Sequence, residues 1–184
     1  PTVLVTGALG QIGTELVSAL RKRYGSDSVI ASDIREIEGH PVIKNGTFLT
    51  ADVLDKDALE VMIDEDNVEI IYHLAAILSA TGEKKPALCE RVNIGGLVNV
   101  LELAREHQLR VFSPSSIAVF GPDCPNHAPQ ITPLNPTTTY GETKVSGEVM
   151  ARYYWEVHGV DVRGLRYPGL ISWKAPAGGG TTDY

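Results

Sequence analysis

Two hydrophobic rhythms alternate along the chain. The first is a short, nearly continuous apolar run rich in β-branched residues. It recurs as "TVLVTG" from residue 2, "SVIASD" from 28, "GTFLTAD" from 46, "VEIIYHLAA" from 68, "RVFSPSS" from 110 and "VDVRGLRYP" from 160. Such runs, bounded by glycine, proline or acids, predict strands. The second rhythm spaces apolar residues three or four apart. "QIGTELVSALRKRYG" places Ile12, Leu16, Ala19, Leu20 and Tyr24 at helical spacing, with Gly25 as the stop. "DKDALEVMIDED" predicts a short acidic helix. "PALCERVNIGGLVNVLELAREHQ" predicts one long helix with Pro86 in its first turn, and "TYGETKVSGEVMARYYWEVHG" another. Strands that are apolar on both faces and alternate with helices predict an α/β fold: a doubly wound parallel sheet with helices on both faces.

Two stretches break the alternation. Residues 113–139 hold six of the eleven prolines and predict a long irregular connection, which in a compact domain is functional or mobile. The end, "WKAPAGGGTTDY", is glycine-rich and supplies no further element.

Composition narrows the functional classes. The 184 residues, 43% hydrophobic and 21% charged, suffice for one domain with a sizeable core. The net charge of −7 without any basic stripe argues against a nucleic-acid partner. Cys89 and Cys124 lack metal-ligand or disulfide spacing, so free thiols and no metal are expected. "IIYHLAAILSA" is too short to span a bilayer, so no membrane partner is expected. A first strand at residue 2 or 3 leaves no room for a leader, which favours a cytoplasmic location.

The chemistry begins where the first strand runs into "TGALGQIG". Gly7 allows a tight exit from the strand, Gly10 lets backbone amides approach a pyrophosphate, and Gly13 lets the helix pack on the sheet. The spacing is GxxGxxG rather than GxGxxG. Asp33 ends the second strand at the distance where a carboxylate accepts from a ribose diol and repels a 2′-phosphate. That favours NAD over NADP, with Arg35 close by. Asp52 ends the third strand and either faces the adenine or closes a loop.

Tyr140 and Lys144 are one helical turn apart and share a face. An ammonium beside a phenol favours the phenolate and equips it as a general base. The fifth strand ends in Ser115 and Ser116, at the sheet edge where doubly wound folds bind ligands; either hydroxyl could hold a substrate oxygen. His73, closing an apolar strand, is expected to be structural. Gly95 and Gly96 inside a helix cost about 1 kcal/mol each relative to alanine, which points to close packing or cofactor approach. Tyr153, Tyr154 and Trp155 read as core and surface of the last helix.

These motifs together resemble the extended short-chain dehydrogenase/reductase superfamily, over nearly the whole chain. "GALGQIGTEL", "AAILSATGEKKPAL", "PSSIAVFGP", "LRYPGLIS" and "GGGTTDY" are similar to its L-threonine 3-dehydrogenases of the nucleotide-sugar-epimerase-like type. The resemblance implies a Rossmann-type domain over residues 1–172 and the start of a truncated C-terminal substrate lobe at 173–184, because family members are longer. It implies NAD-dependent oxidation of L-threonine to 2-amino-3-ketobutyrate, with Tyr140 as base, Lys144 as its tuner and Ser116 rather than Ser115 on the reacting hydroxyl. The implied cofactor lining adds Gln11, Ile12, Ile34, Val53, Leu74, Ala75, Ala76, Asn93, Tyr167, Gly169 and Leu170 to the residues already named. Ser79, Ser115, Thr181 and Thr182 would approach the amino-acid head group. By the same analogy the long helices offer a homodimer face, and a mitochondrial matrix location is the alternative to the cytoplasm. Two competing readings are a nucleotide-sugar epimerase or dehydratase and a non-catalytic NAD-binding module.

Overall fold

A computed structural model describes residues 1–172 of the chain. Its strands are β1 (Val3–Thr6), β2 (Val29–Asp33), β3 (Phe48–Thr50), β4 (Ile70–His73), β5 (Arg110–Phe112), β6 (Ser115–Ser116), β7 (Val162–Arg163) and β8 (Arg166–Tyr167). The helices are α1 (Gln11–Tyr24), α2 (Pro41–Lys44), α3 (Lys56–Asp66), α4 (Ser79–Lys84), α5 (Pro86–Glu90), α6 (Gly96–His107) and α7 (Thr139–His158). Six strands form one parallel sheet in the order β3-β2-β1-β4-β5-β7. The chain order reverses between β1 and β4, and the carboxyl ends of these two strands open the crevice where doubly wound folds bind ligands.

Side chains alternate across the pleat and supply two cores. Leu4, Ile30, Ile71 and Val111 face α3, α6 and α7, meeting Leu59, Ile63, Val100, Leu101 and Tyr154. Val3, Val5, Val29 and Ala31 face α1 and α2, meeting Val17, Leu20 and Val42. Helices therefore cover both faces, as the apolar strands required. Among the described residues no helix is long and apolar enough to cross a membrane.

Local structure departs from the sequence expectation in three places. The inward face of α1 is Gly13, Thr14, Val17, Leu20 and Arg21, while Ala19 is exposed. Arg21 is buried because its guanidinium donates to the carbonyls of Val42 (2.5 Å) and Thr47 (2.7 Å), fastening α1 to the segment before β3. The expected helix from residue 86 is interrupted: Arg91–Gly95 forms a wider π turn between α5 and α6. Finally, the expected fifth and sixth strands each split. Pro114, which has no N–H for the ladder, separates β5 from β6. Gly164 separates β7 from β8, and a β-carbon there would overlap the carbonyl oxygen of Ser113. The detached halves, β6 and β8, pair in parallel as a second small sheet, Ser115 with Arg166 and Ser116 with Tyr167.

Candidate active site

The turn after β1 is tightly specified. Gly7 has φ +67°, and a β-carbon there would lie 2.6 Å from the Ala75 amide nitrogen. A β-carbon at Gly13 would overlap the Gly7 carbonyl and come within 2.7 Å of the Ala8 Cα. Both glycines serve the fold itself. Gly10 differs: among the described residues its β-carbon would meet only the Gly7 oxygen, at 3.3 Å. Among the described residues no side chain caps the start of α1, and the first-turn amides of a helix have no acceptor within the helix. An open helix N-terminus beside a glycine with room at its Cα fits a pyrophosphate.

Asp33 is buried at the end of β2. One carboxylate oxygen accepts from the Leu9 amide (3.1 Å), the other from the Arg35 amide (3.1 Å) and Arg35 Nε (3.3 Å). The acid therefore holds the glycine turn in place, a role its position in the sequence did not disclose. Ile34 beside it is exposed. Asp52 accepts from Leu54 N (2.9 Å) and closes a loop, which is the plainer of its two expected roles. Val53, expected at the cofactor, is buried against Gly96, and its carbonyl accepts from Asn99 (2.9 Å). Gln11 reaches across the crevice to the Leu170 carbonyl (3.3 Å) and links the turn to the segment after β8 that holds Gly169. Ile12 is half-buried on the first turn of α1.

Thr138 caps α7 by accepting from the Gly141 amide (3.0 Å), which places Tyr140 in the first turn. Ser116 neighbours the Tyr140 hydroxyl and favours its ionised form, and its Oγ accepts from Ala118 N (3.1 Å). Lys144 Nζ lies 5.5 Å from the Tyr140 ring centroid and donates to the Pro114 carbonyl (3.0 Å). This geometry corrects the expected electrostatics. Burial pushes the Tyr140 phenol up, and Ser116 offsets only part of that. Burial also lowers the Lys144 ammonium to about 8. Without a further positive group the pair is not yet an activated base.

His73 is fully enclosed between Thr6, whose hydroxyl lies 2.9 Å from Nδ1, and the Gly96 backbone. Burial first, and the Lys144 charge second, lower its pKa to about 3, so it is neutral and structural. Asn93, expected at the cofactor, spends its carboxamide elsewhere. It accepts from Ile77 N (2.7 Å) and donates towards Ile77 O (3.0 Å), Thr143 Oγ1 (3.1 Å) and Cys89 Sγ (3.4 Å). The π turn presents Asn93 to this loop, and through Thr143 the loop is tied to α7. Ser115 also departs from expectation: its hydroxyl donates to Glu148 (2.5 Å). Sequence reading missed Glu148, Arg166 and Thr143; no motif marks them.

A cavity of about 570 Å³ lies against this cluster, lined by Ala75, Ala76, Asn93, Lys144, Glu148 and Tyr167 among others. Leu74 does not line it: its amide donates to the Thr6 carbonyl (3.1 Å) and its side chain packs against the core under α1 and α2. Ser79 opens α4. Thr181 and Thr182 lie outside the described residues.

Comparison with known proteins adds three relatives. An uncharacterized epimerase/dehydratase of Staphylococcus saprophyticus is 50% identical over 99% of this chain and 57% of its own length. A monomeric L-threonine 3-dehydrogenase from a metagenome, in its apo form, superposes with a TM-score of 0.94 at 55% identity, over 98% of this chain and 58% of that one. The L-threonine dehydrogenase of Clostridium difficile superposes with a TM-score of 0.96 at 50% identity, over 99% and 57%. The chain thus spans a little over half the length of the relatives it matches. The profile of the NAD dependent epimerase/dehydratase family matches residues 3–181. With the parallel sheet, the glycine turn and the tyrosine–lysine helix in agreement, the chain belongs to that family.

Proposed function

We propose that the protein to which this chain belongs oxidises L-threonine at its 3-hydroxyl with NAD, giving 2-amino-3-ketobutyrate. One observation carries the chemical part of this reading: α7 places Tyr140 next to Ser116 and one helical turn before Lys144, whose Nζ lies 5.5 Å from the Tyr140 ring, in a chain whose first strand ends in a glycine turn that fits a dinucleotide. The choice of substrate is supported by the similarity to L-threonine dehydrogenases at 50% and 55% identity.

Gly7, Gly10, Gly13 and the α1 amides would hold the pyrophosphate, and Asp33 the adenosine ribose, with Arg35 beside it. When bound, NAD supplies the hydride acceptor and a positively charged ring. Ser116 Oγ orients the substrate hydroxyl. Tyr140 Oη takes its proton, and the Lys144 ammonium stabilises the resulting phenolate; a cationic ring nearby adds to that stabilisation and offsets the burial that holds the phenol up. Neutral His73 keeps a second charge out of the site.

The test is NADH formation by the full-length protein with L-threonine, and product analysis after incubation with a UDP-hexose, whose epimerisation leaves no net NADH. Growth of NADH absorbance with threonine is expected. Tyr140→Phe is expected to cut kcat by about 10²–10⁴-fold, the usual contribution of a general base, while NAD affinity stays within a few-fold. Retained turnover in that variant would sink the assignment. A second reading, epimerisation of a nucleotide sugar, draws support from the family description. Conversion of the UDP-hexose without threonine oxidation would select it.

A further inference from the structure

We propose that Glu148 is a positioning residue: with Ser115 and Arg166 it locks the β6–β8 pair onto α7 and so sets the contact between Ser116 and Tyr140. The inference rests on the roles given to Ser116 and Tyr140 above.

Glu148 stands one turn beyond Lys144 and two beyond Tyr140, on the same face of α7. Its two carboxylate oxygens reach two strands at once. Oε1 accepts from Ser115 Oγ (2.5 Å) on β6 and from Arg166 Nε (2.9 Å) on β8, and Oε2 accepts from Arg166 Nη2 (2.8 Å). Arg166 is fixed in turn. Its Nη1 donates to the Gln130 carbonyl (3.1 Å), and its guanidinium lies 5.3 Å from the centre of the Phe120 ring. The ion pair is largely shielded, with side-chain exposures of 20% for Arg166 and 25% for Glu148.

β6 has only two residues, and adjacent strand residues point to opposite sides. Ser115 turns towards Glu148 and Ser116 towards Tyr140. A two-residue strand has little ladder of its own: the Ser115 amide bonds the Leu165 carbonyl (2.8 Å), and Pro114 before it has no N–H to donate. What holds Ser116 at Tyr140 is therefore the pair of clamps that α7 places on its neighbours, Lys144 on the Pro114 carbonyl and Glu148 on the Ser115 hydroxyl. The base and its hydroxyl partner come from different elements, and Glu148 is the part that fastens those elements together. Displacement of a reacting group by about 1 Å can cost 10²-fold in rate, so such a fastening has kinetic weight.

Ser115→Ala breaks the link while leaving the Arg166–Glu148 pair intact, and Ser115→Thr keeps the hydroxyl. The first readout needs no turnover. In the full-length protein with isotope-labelled tyrosine, the Tyr140 ring resonance is identified by its loss in Tyr140→Phe. It is expected to move in Ser115→Ala towards its place in Ser116→Ala, and to stay at the wild-type place in Ser115→Thr. The second readout is kinetic, on whichever substrate the protein turns over. Ser115→Ala is expected to lower kcat by about tenfold with KM little changed, and to cost nothing further when Ser116 is already alanine. A merely structural Ser115 would lower the melting temperature and leave the Tyr140 resonance where it was; that result, or additive losses in the double variant, overturns the proposal. Absence of turnover with both threonine and a UDP-hexose would overturn the functional reading alone, since the resonance still decides the clamp.

Discussion

Gly10 and Gly13 sit in the same turn, yet an added methyl meets different surroundings at each. At Gly13 it collides with the protein's own backbone, so Gly13→Ala is expected to destabilise the fold by about 1–3 kcal/mol, the range of overpacking strain. At Gly10 the only close atom among the described residues is one carbonyl oxygen at 3.3 Å, which a small shift relieves. Gly10→Ala is expected to keep stability within about 1 kcal/mol while weakening NAD binding at least tenfold, because the methyl occupies the approach of the pyrophosphate. Urea unfolding and NAD titration of the two variants check this; equal losses of stability would remove the distinction. The motif showed three glycines but not which of them answers to the protein and which to a ligand. Tyr140 and Lys144 were similarly legible as neighbours on one face. That burial, rather than the neighbouring cation, governs the phenol was not legible, because it depends on how the folded chain encloses the ring.

At the level of elements, the break in the expected long helix is the most informative departure. The pattern of apolar residues runs through 86–108 without a fault, and a π turn adds a residue without disturbing it enough to be seen. Its purpose lies in another segment: it presents Asn93 to both backbone groups of Ile77. Asn93→Ala leaves those groups and Thr143 short of partners and is expected to cost about 2–4 kcal/mol, measured by urea unfolding. A cost under about 0.5 kcal/mol would mean that water replaces the carboxamide. The splitting of two strands has a comparable origin. Pro114 gave a visible signal, whereas the collision that demands Gly164 involves Ser113, far away in sequence.

Across the whole molecule, the doubly wound parallel sheet and the two-sided core follow from the alternation of apolar runs with helices, and both were legible in the sequence; the order β3-β2-β1-β4-β5-β7 was not. The pH response was not, since it comes from enclosure. His73 titrates near 6.5 in an unfolded chain and at about 3 in the folded one. Between those values the unfolded state takes up a proton that the folded state refuses, so stability falls as pH drops below about 6.5 and continues to fall towards about 3. From pH 7 to pH 5 this amounts to about 2 kcal/mol from His73 alone. Unfolding free energies of wild type and His73→Gln at the two values should differ in slope by roughly that amount; parallel slopes would show that His73 titrates freely.

The reversal of chain order between β1 and β4 divides the labour along the polypeptide. Everything that would grip the dinucleotide's phosphates and adenosine comes from before residue 55, and Ser116, Tyr140 and Lys144 all come after residue 110. The two sets meet only across a seam. A lineage can therefore revise its reaction by altering the later segment while its hold on the coenzyme stays as inherited, and a chimera joined between β4 and α5 is the natural place to exchange one chemistry for another.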